Sequence, residues 1–143
     1  VENELPKLLR HRTELLAESY KKGREITVSV IHGEALPIIE IIPSSGNYDF
    51  AAKYERNDTK YILDPQLPDQ TCVSWAVEIA KEMNIRDLAR VDFILDNEGL
   101  WFLEVNTMPG FTDHSLLPMA ASHAGLDMTD LCTKLIVTAT QDH

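Results

Sequence analysis

The chain has 143 residues, room for one ordinary domain with one sizeable core. Its 44% hydrophobic and 25% charged residues are globular values, and with no apolar run of membrane-span length and no signal-peptide pattern, no membrane partner and a cytoplasmic location are expected. The net charge of −10 argues against a nucleic-acid backbone as main partner, though not against a nucleotide held by local donors and a metal.

Residues 1–12 read as a short helix or connector. "ELLAESY", Glu14 to Tyr20, reads as a strand, although periodicity alone also allows a helix. "KKG" turns into "REITVSVI", Arg24 to Ile31, which is β-branched and alternating and predicts a strand. After "HGE", the stretch Ala35 to Pro43 predicts a returning strand. Residues 44–70 are rich in turn formers and read as one long loop, a length that is usually functional or disordered. From Thr71 to Asn84 the spacing is helical, with Cys72, Trp75, Ala76, Ile79 and Met83 on the inner face. Two short helices close the chain: Ser115 can cap one that ends at Gly125, with Pro118 in its first turn, and Asp127 can cap the other. Cys72 and Cys132 lack metal-like spacing and read as reduced small hydrophobes. The order predicts an α+β fold, an antiparallel sheet with helices on one face.

The most apolar segment, "ARVDFILDNEGLWFLEVNTMPG", carries Arg90, Asp92, Glu104 and Asn106. Taking Asn97-Glu98-Gly99 as a three-residue hairpin loop pairs Asp96 with Leu100. Asp92 then faces Glu104 and Arg90 faces Asn106, while Val91, Phe93, Leu95, Trp101, Leu103 and Val105 share the core face. Opposed carboxylates repel unless a proton, Arg90 or a divalent metal lies between them. Asp, Glu and the Asn oxygen are the hard donors Mg²⁺ takes, and a solvated sheet face with a surface ion pair is the bland alternative. The Pro-Gly turn and Ser-capped helix start that follow bring anion-binding N–H groups beside these carboxylates, which favours metal–phosphate chemistry.

"GREITVSVIHGEALPIIEI", "YDFAAKY", "ARVDFILD", "FLEVNTMPG" and "HSLLPMAASHAGL", in this order along the chain, resemble the C-terminal half of D-alanine–D-alanine ligases of the ATP-grasp superfamily. The resemblance implies ATP and two Mg²⁺ ions (or Mn²⁺), with Asp92, Glu104 and Asn106 as metal ligands. It implies that Arg90 and the Gly110 N–H stabilise the tetrahedral intermediate. Ser115 and Leu116 would receive the carboxylate of the second D-alanine. Glu18, the Ser19 carbonyl and the Lys21 amide would read the adenine edge, Tyr20 would pack near the purine, and Glu25 would bond the ribose. Lys53 would touch phosphate and Tyr54 the second substrate, on a flap that closes over them. The Lys-Tyr pair also implies an amine acceptor, because D-alanine–D-lactate ligases depart from it.

Tyr20, Lys21 and Asp113 depart from the family's usual residues. On this resemblance residues 1–17 end the central lobe or form a connector, and residues 18–143 are the C-terminal catalytic lobe. The implied parent is a homodimer that joins two D-alanines through an acyl-phosphate for cell-wall peptidoglycan. The N-terminal and most of the central ligase domains are not represented, so this chain alone is expected to be inactive. Another ATP-grasp carboxylate–amine or D-alanine–D-lactate type ligase, or a non-catalytic nucleotide- or metal-binding module, are the alternatives.

Overall fold

The computed structural model describes residues 14, 16–43 and 59–139. Its centre is a six-stranded antiparallel sheet. The strands are β1 (Arg24–Ile31), β2 (Glu34–Ala35), β3 (Ile39–Ile42), β4 (Lys60–Leu63), β5 (Leu88–Leu95) and β6 (Leu100–Asn106). The order across the sheet is β4-β3-β1-β5-β6, with β2 added to the end of β1. The helices are α1 (Thr71–Glu82), α2 (Leu116–His123) and α3 (Met128–Thr138).

Alternation along β1 decides the layers. Ile26, Val28 and Val30 join Val91 and Phe93 of β5 beneath Cys72, Ala76 and Ala80 of α1. The two alanines let the helix sit close to the sheet. On the opposite face, Ile31, Ile39 and Ile41 pack against Leu116, Leu117, Ala120, Ala121 and Leu131 of α2 and α3. The α+β antiparallel design is as expected, but the helices occupy both faces. The α2–α3 pair covers only one end of its face, and the other end stays open.

Several local expectations change. Residues 16–23 form no strand, and Leu16 is 85% exposed. The expected strand Ala35–Pro43 is broken at residues 36–38, where Pro37 lacks an N–H for the ladder. The expected loop 44–70 contains β4, which pairs Ile39 with Leu63 and Ile41 with Tyr61. On α1, Trp75 is exposed and Ala80 is buried instead, and Met83 lies just past the helix end and is exposed, which turns the inner stripe toward Cys72, Ala76 and Ala80. Asp127 caps α3 as expected, its side chain accepting from the Asp130 N–H. Ser115 holds the cap position of α2 without bonding a helical N–H; its Oγ accepts from the Thr112 N–H at 3.0 Å.

Candidate functional site

The β5–β6 hairpin reaches the expected pairing by a different route. Leu95 pairs with Leu100, so the turn is Asp96–Gly99, one residue longer than expected. Asp96 Oδ1 accepts from the N–H groups of Glu98 and Gly99, which favours this wider turn. A β-bulge follows at Leu103: Phe93 pairs with Phe102, but Asp92 pairs with Glu104. The extra turn residue and the extra bulge residue cancel. Asp92 therefore faces Glu104, and Arg90 faces Asn106. The segment ahead of the bulge is displaced by one residue. Trp101 pairs with Ile94 and turns to the open face, and Leu103 is 45% exposed rather than part of the core.

Asp92 is held from two strands. Arg90 Nε donates to Oδ1 at 2.9 Å and Nη2 to Oδ2 at 2.7 Å, a bidentate pair. Thr27, opposite Asp92 on β1, donates from Oγ1 to Oδ1 at 2.6 Å. Arg90 and Thr27 are both buried, at 4% and 1% exposure. Glu104 is exposed and accepts no hydrogen bond among the described residues. Asn106 Oδ1 accepts from the Met108 N–H at 2.9 Å.

A cleft of about 1320 Å³ opens over the uncovered end of this face. It is larger than an ordinary small-ligand pocket. One wall is the segment Glu18, Ser19, Tyr20 and Lys21 with Glu25; the other includes Asp92, Ile94, Trp101 and Glu104. Gly23 brings the walls together: a Cβ there would lie 2.3 Å from the Leu95 carbonyl oxygen. The Lys21 ammonium sits 3.3 Å from the centroid of the Trp101 ring and 3.4 Å from Glu98 Oε2, which pins the segment to the hairpin. Beneath it, Arg24 forks Glu40 at 2.8 and 2.7 Å. That hydrogen bond raises the Arg24 pKa above its ordinary value, against the opposing effect of burial.

The structure thus gathers Glu18, Ser19, Tyr20, Lys21, Glu25, Asp92 and Glu104 around one cleft, with Arg90 bound to Asp92. Asn106 lies on the same face, one pair beyond Glu104. Gly110 and Ser115 come together at the start of α2, where a Cβ on Gly110 would be 2.9 Å from Ser115 Oγ. Neither these two nor Leu116 lines the cleft. The N–H groups of Leu116 and Leu117 have no acceptor inside α2, and Pro118 has none to offer, so two donors remain at this helix start. Lys53 and Tyr54 lie outside the described residues. Thr27 was not singled out from the sequence, although the polar series Glu25, Thr27, Ser29 in an apolar strand carried the signal.

Whether a divalent cation fits can be read from the donors. Among the described residues no three His, Cys, Asp or Glu side chains gather as a metal-binding group. The set here is two carboxylates and an amide. Asp92 Oδ2 accepts a single bond, Glu104 none, and Asn106 Oδ1 one, so each retains an open lone pair on a hard oxygen. These residues fit Mg²⁺.

An antiparallel lobe that presents opposed carboxylates beside a wide, open cleft has the architecture of an ATP-grasp lobe. The chain belongs to the D-ala D-ala ligase C-terminus family, whose model matches residues 1–137. It is 40% identical over 131 residues to the D-alanine–D-alanine ligase of Aquifex aeolicus, covering 90% of this chain and 45% of that protein. It is 42% identical over 137 residues to the ligase of Dechloromonas aromatica, covering 93% and 46%. In structure it is similar to the D-alanine–D-alanine ligase of Bacillus anthracis complexed with ATP, with TM-score 0.79 and 32% identity over 96% of this chain and 46% of that one. It is also similar to the VanG D-Ala:D-Ser ligase of Enterococcus faecalis, with TM-score 0.76 and 29% identity over 94% and 43%. The chain spans about half the length of the curated relatives it matches.

Proposed function

We propose that this chain forms the nucleotide- and metal-binding wall of an ATP-dependent ligase that joins two D-alanines through an acyl-phosphate, a step in peptidoglycan synthesis in the cytoplasm. The supporting observation is the juxtaposition of Asp92 and Glu104, directly opposed, with a cleft whose far wall is the segment 18–25. In this reading Glu18, the Ser19 carbonyl, Tyr20 and the Lys21 amide take the adenine, and Glu25 takes the ribose. Asp92, Glu104 and Asn106 would hold two Mg²⁺ ions, for which Mn²⁺ could substitute, and ions held there would supply positive charge against the phosphates. Lys53 meets phosphate, and Tyr54 meets the second amino acid.

Arg90 serves twice. Two of its N–H donors orient Asp92, and its positive charge would stabilise the oxyanion of the acyl transfer. The Gly110 N–H adds a second donor, and Ser115 with Leu116 takes the acceptor's carboxylate at the start of α2. An amine acceptor is favoured by the Lys53–Tyr54 pair. Because Arg90 neutralises one of the two facing carboxylates, the site alone attracts a cation weakly, and the cation arrives best with a polyphosphate. The chain by itself is inactive and needs the other domains of its homodimeric parent to bind the first D-alanine.

An NMR titration of the chain with Mg·ADP tests this. Shifts are expected in residues 18–25 and at Asp92, Glu104 and Asn106, with the metal-dependent part lost in Asn106→Leu. Shifts that avoid both walls of the cleft would refute it.

A further inference from the structure

Thr27 carries a hydroxyl that the fold has no need of. The residue is 1% exposed in the middle of β1, where its neighbours on the α1 face are Ile26 and Val28. A valine would fill the same space without burying a polar group. Its Oγ1 is instead 2.6 Å from Asp92 Oδ1 and 3.5 Å from the Val91 carbonyl, so the hydroxyl proton goes to the carboxylate. Arg90 alone does not distinguish the two Asp92 oxygens, since its fork gives one N–H to each. Thr27 does. With Nε and Oγ1 both donating to it, Oδ1 is saturated, while Oδ2 accepts only from Nη2 and keeps a lone pair.

We infer that Thr27 is a positioning residue for the metal site: it closes Asp92 Oδ1 and leaves Oδ2 as the single oxygen that carboxylate offers a cation. The inference rests on the metal-binding role of Asp92 proposed above. Outer partners of metal ligands act in this way, fixing which lone pair is presented.

Two readouts on the 143-residue chain test it. Without metal, NMR of the wild type should show a slowly exchanging Thr27 hydroxyl proton with scalar coupling to the Asp92 carboxyl carbon. The absence of that coupling overturns the inference even if variants fold poorly. Mn²⁺ is then titrated in excess ADP, following paramagnetic broadening at Asp92, Glu104 and Asn106. Thr27→Val should weaken Mn²⁺ binding about tenfold, with an unchanged circular dichroism spectrum, whereas Thr27→Ser, which keeps the donor, should stay within about twofold of wild type. Equal Mn²⁺ affinity in wild type and Thr27→Val would remove Thr27 from the site and leave the metal reading standing. No broadening at these residues in the wild type would remove the metal reading, and this inference with it.

Discussion

On one side of β1, Ile26, Val28 and Val30 are covered by α1. On the other, Glu25, Thr27 and Ser29 share the face with Asp92 and Arg90 across the ladder to β5. The first set gains its free energy from burial, which is non-directional and scales with area. The second gains from hydrogen bonds that must be satisfied one by one, because an unmatched buried polar group costs more than a matched one returns. A single strand therefore supplies the core with one set of residues and the site with the alternate set. Substitutions on the two sides should separate stability from binding.

The largest effect is expected at Phe93, which is fully buried at 0% exposure. Phe93→Ala should cost about 3–5 kcal/mol of folding stability, read as a lower urea midpoint. In the folded fraction, nucleotide-induced shifts at Asp92 and Glu104 should persist. Asp92→Ala comes next, at about 3 kcal/mol, the lower end for a buried pair because the Asp92 side chain is 16% exposed. Here the loss comes from stripping Arg90 of its bidentate partner, so a double substitution should discriminate. Arg90→Met with Asp92→Leu should recover most of the stability while leaving no metal response. If the double variant is as unstable as Asp92→Ala, the pair is a structural element of the core and the contrast between the faces fails.

Gly23 tests the seam between the walls. A Cβ there would press on the Leu95 carbonyl, which belongs to the ladder and cannot rotate away. Gly23→Ala should cost about 1–3 kcal/mol and displace the segment 18–22. Quenching of Trp101 fluorescence by the Lys21 contact offers the readout: it should change in Gly23→Ala and not in Phe93→Ala. An unchanged spectrum and urea midpoint would mean that the segment does not depend on this close approach.

The difference between the faces also explains what was legible in the sequence. The pairing of Asp92 with Glu104 and of Arg90 with Asn106 could be read, because the alternation of apolar residues around them strongly constrains the facing. The route to it could not. A three-residue turn without a bulge and a four-residue turn with a bulge give the same pairing beyond Leu103, and only the residues between them differ. That ambiguity misplaced Trp101 and Leu103. β4 was hidden because Lys60-Tyr61-Ile62-Leu63 is short and lies beside Asp64 and two prolines. Glu14 to Tyr20 reads as a strand by pattern, but periodicity alone does not separate a short strand from irregular chain. Thr27 was missed for a different reason: a threonine in a strand is ordinary, and the polar alternation Glu25, Thr27, Ser29 that marks its face says nothing of its partner, which the 2.6 Å contact with Asp92 supplies.

The smallest predicted change in stability is the one that bears most directly on function. Glu104 is exposed and lies directly across from Asp92. Arg90 offsets most of the Asp92 charge, so only a residual repulsion opposes folding, and Glu104→Gln should stabilise the metal-free chain by about 0.2 kcal/mol, the low end for a facing like-charge pair. The gain should shrink in high salt, which screens an exposed charge. The amide keeps the shape and one acceptor oxygen but removes the charge that a cation requires, so Mn²⁺ broadening at Asp92 and Asn106 should be lost. A residue retained for folding would show the reverse, a loss of stability on substitution. Thermal melts at low and high salt, set beside the Mn²⁺ titration of the same sample, decide between the two. Lower stability with intact Mn²⁺ binding would place Glu104 on the structural side of the sheet and end the case for a metal on this face.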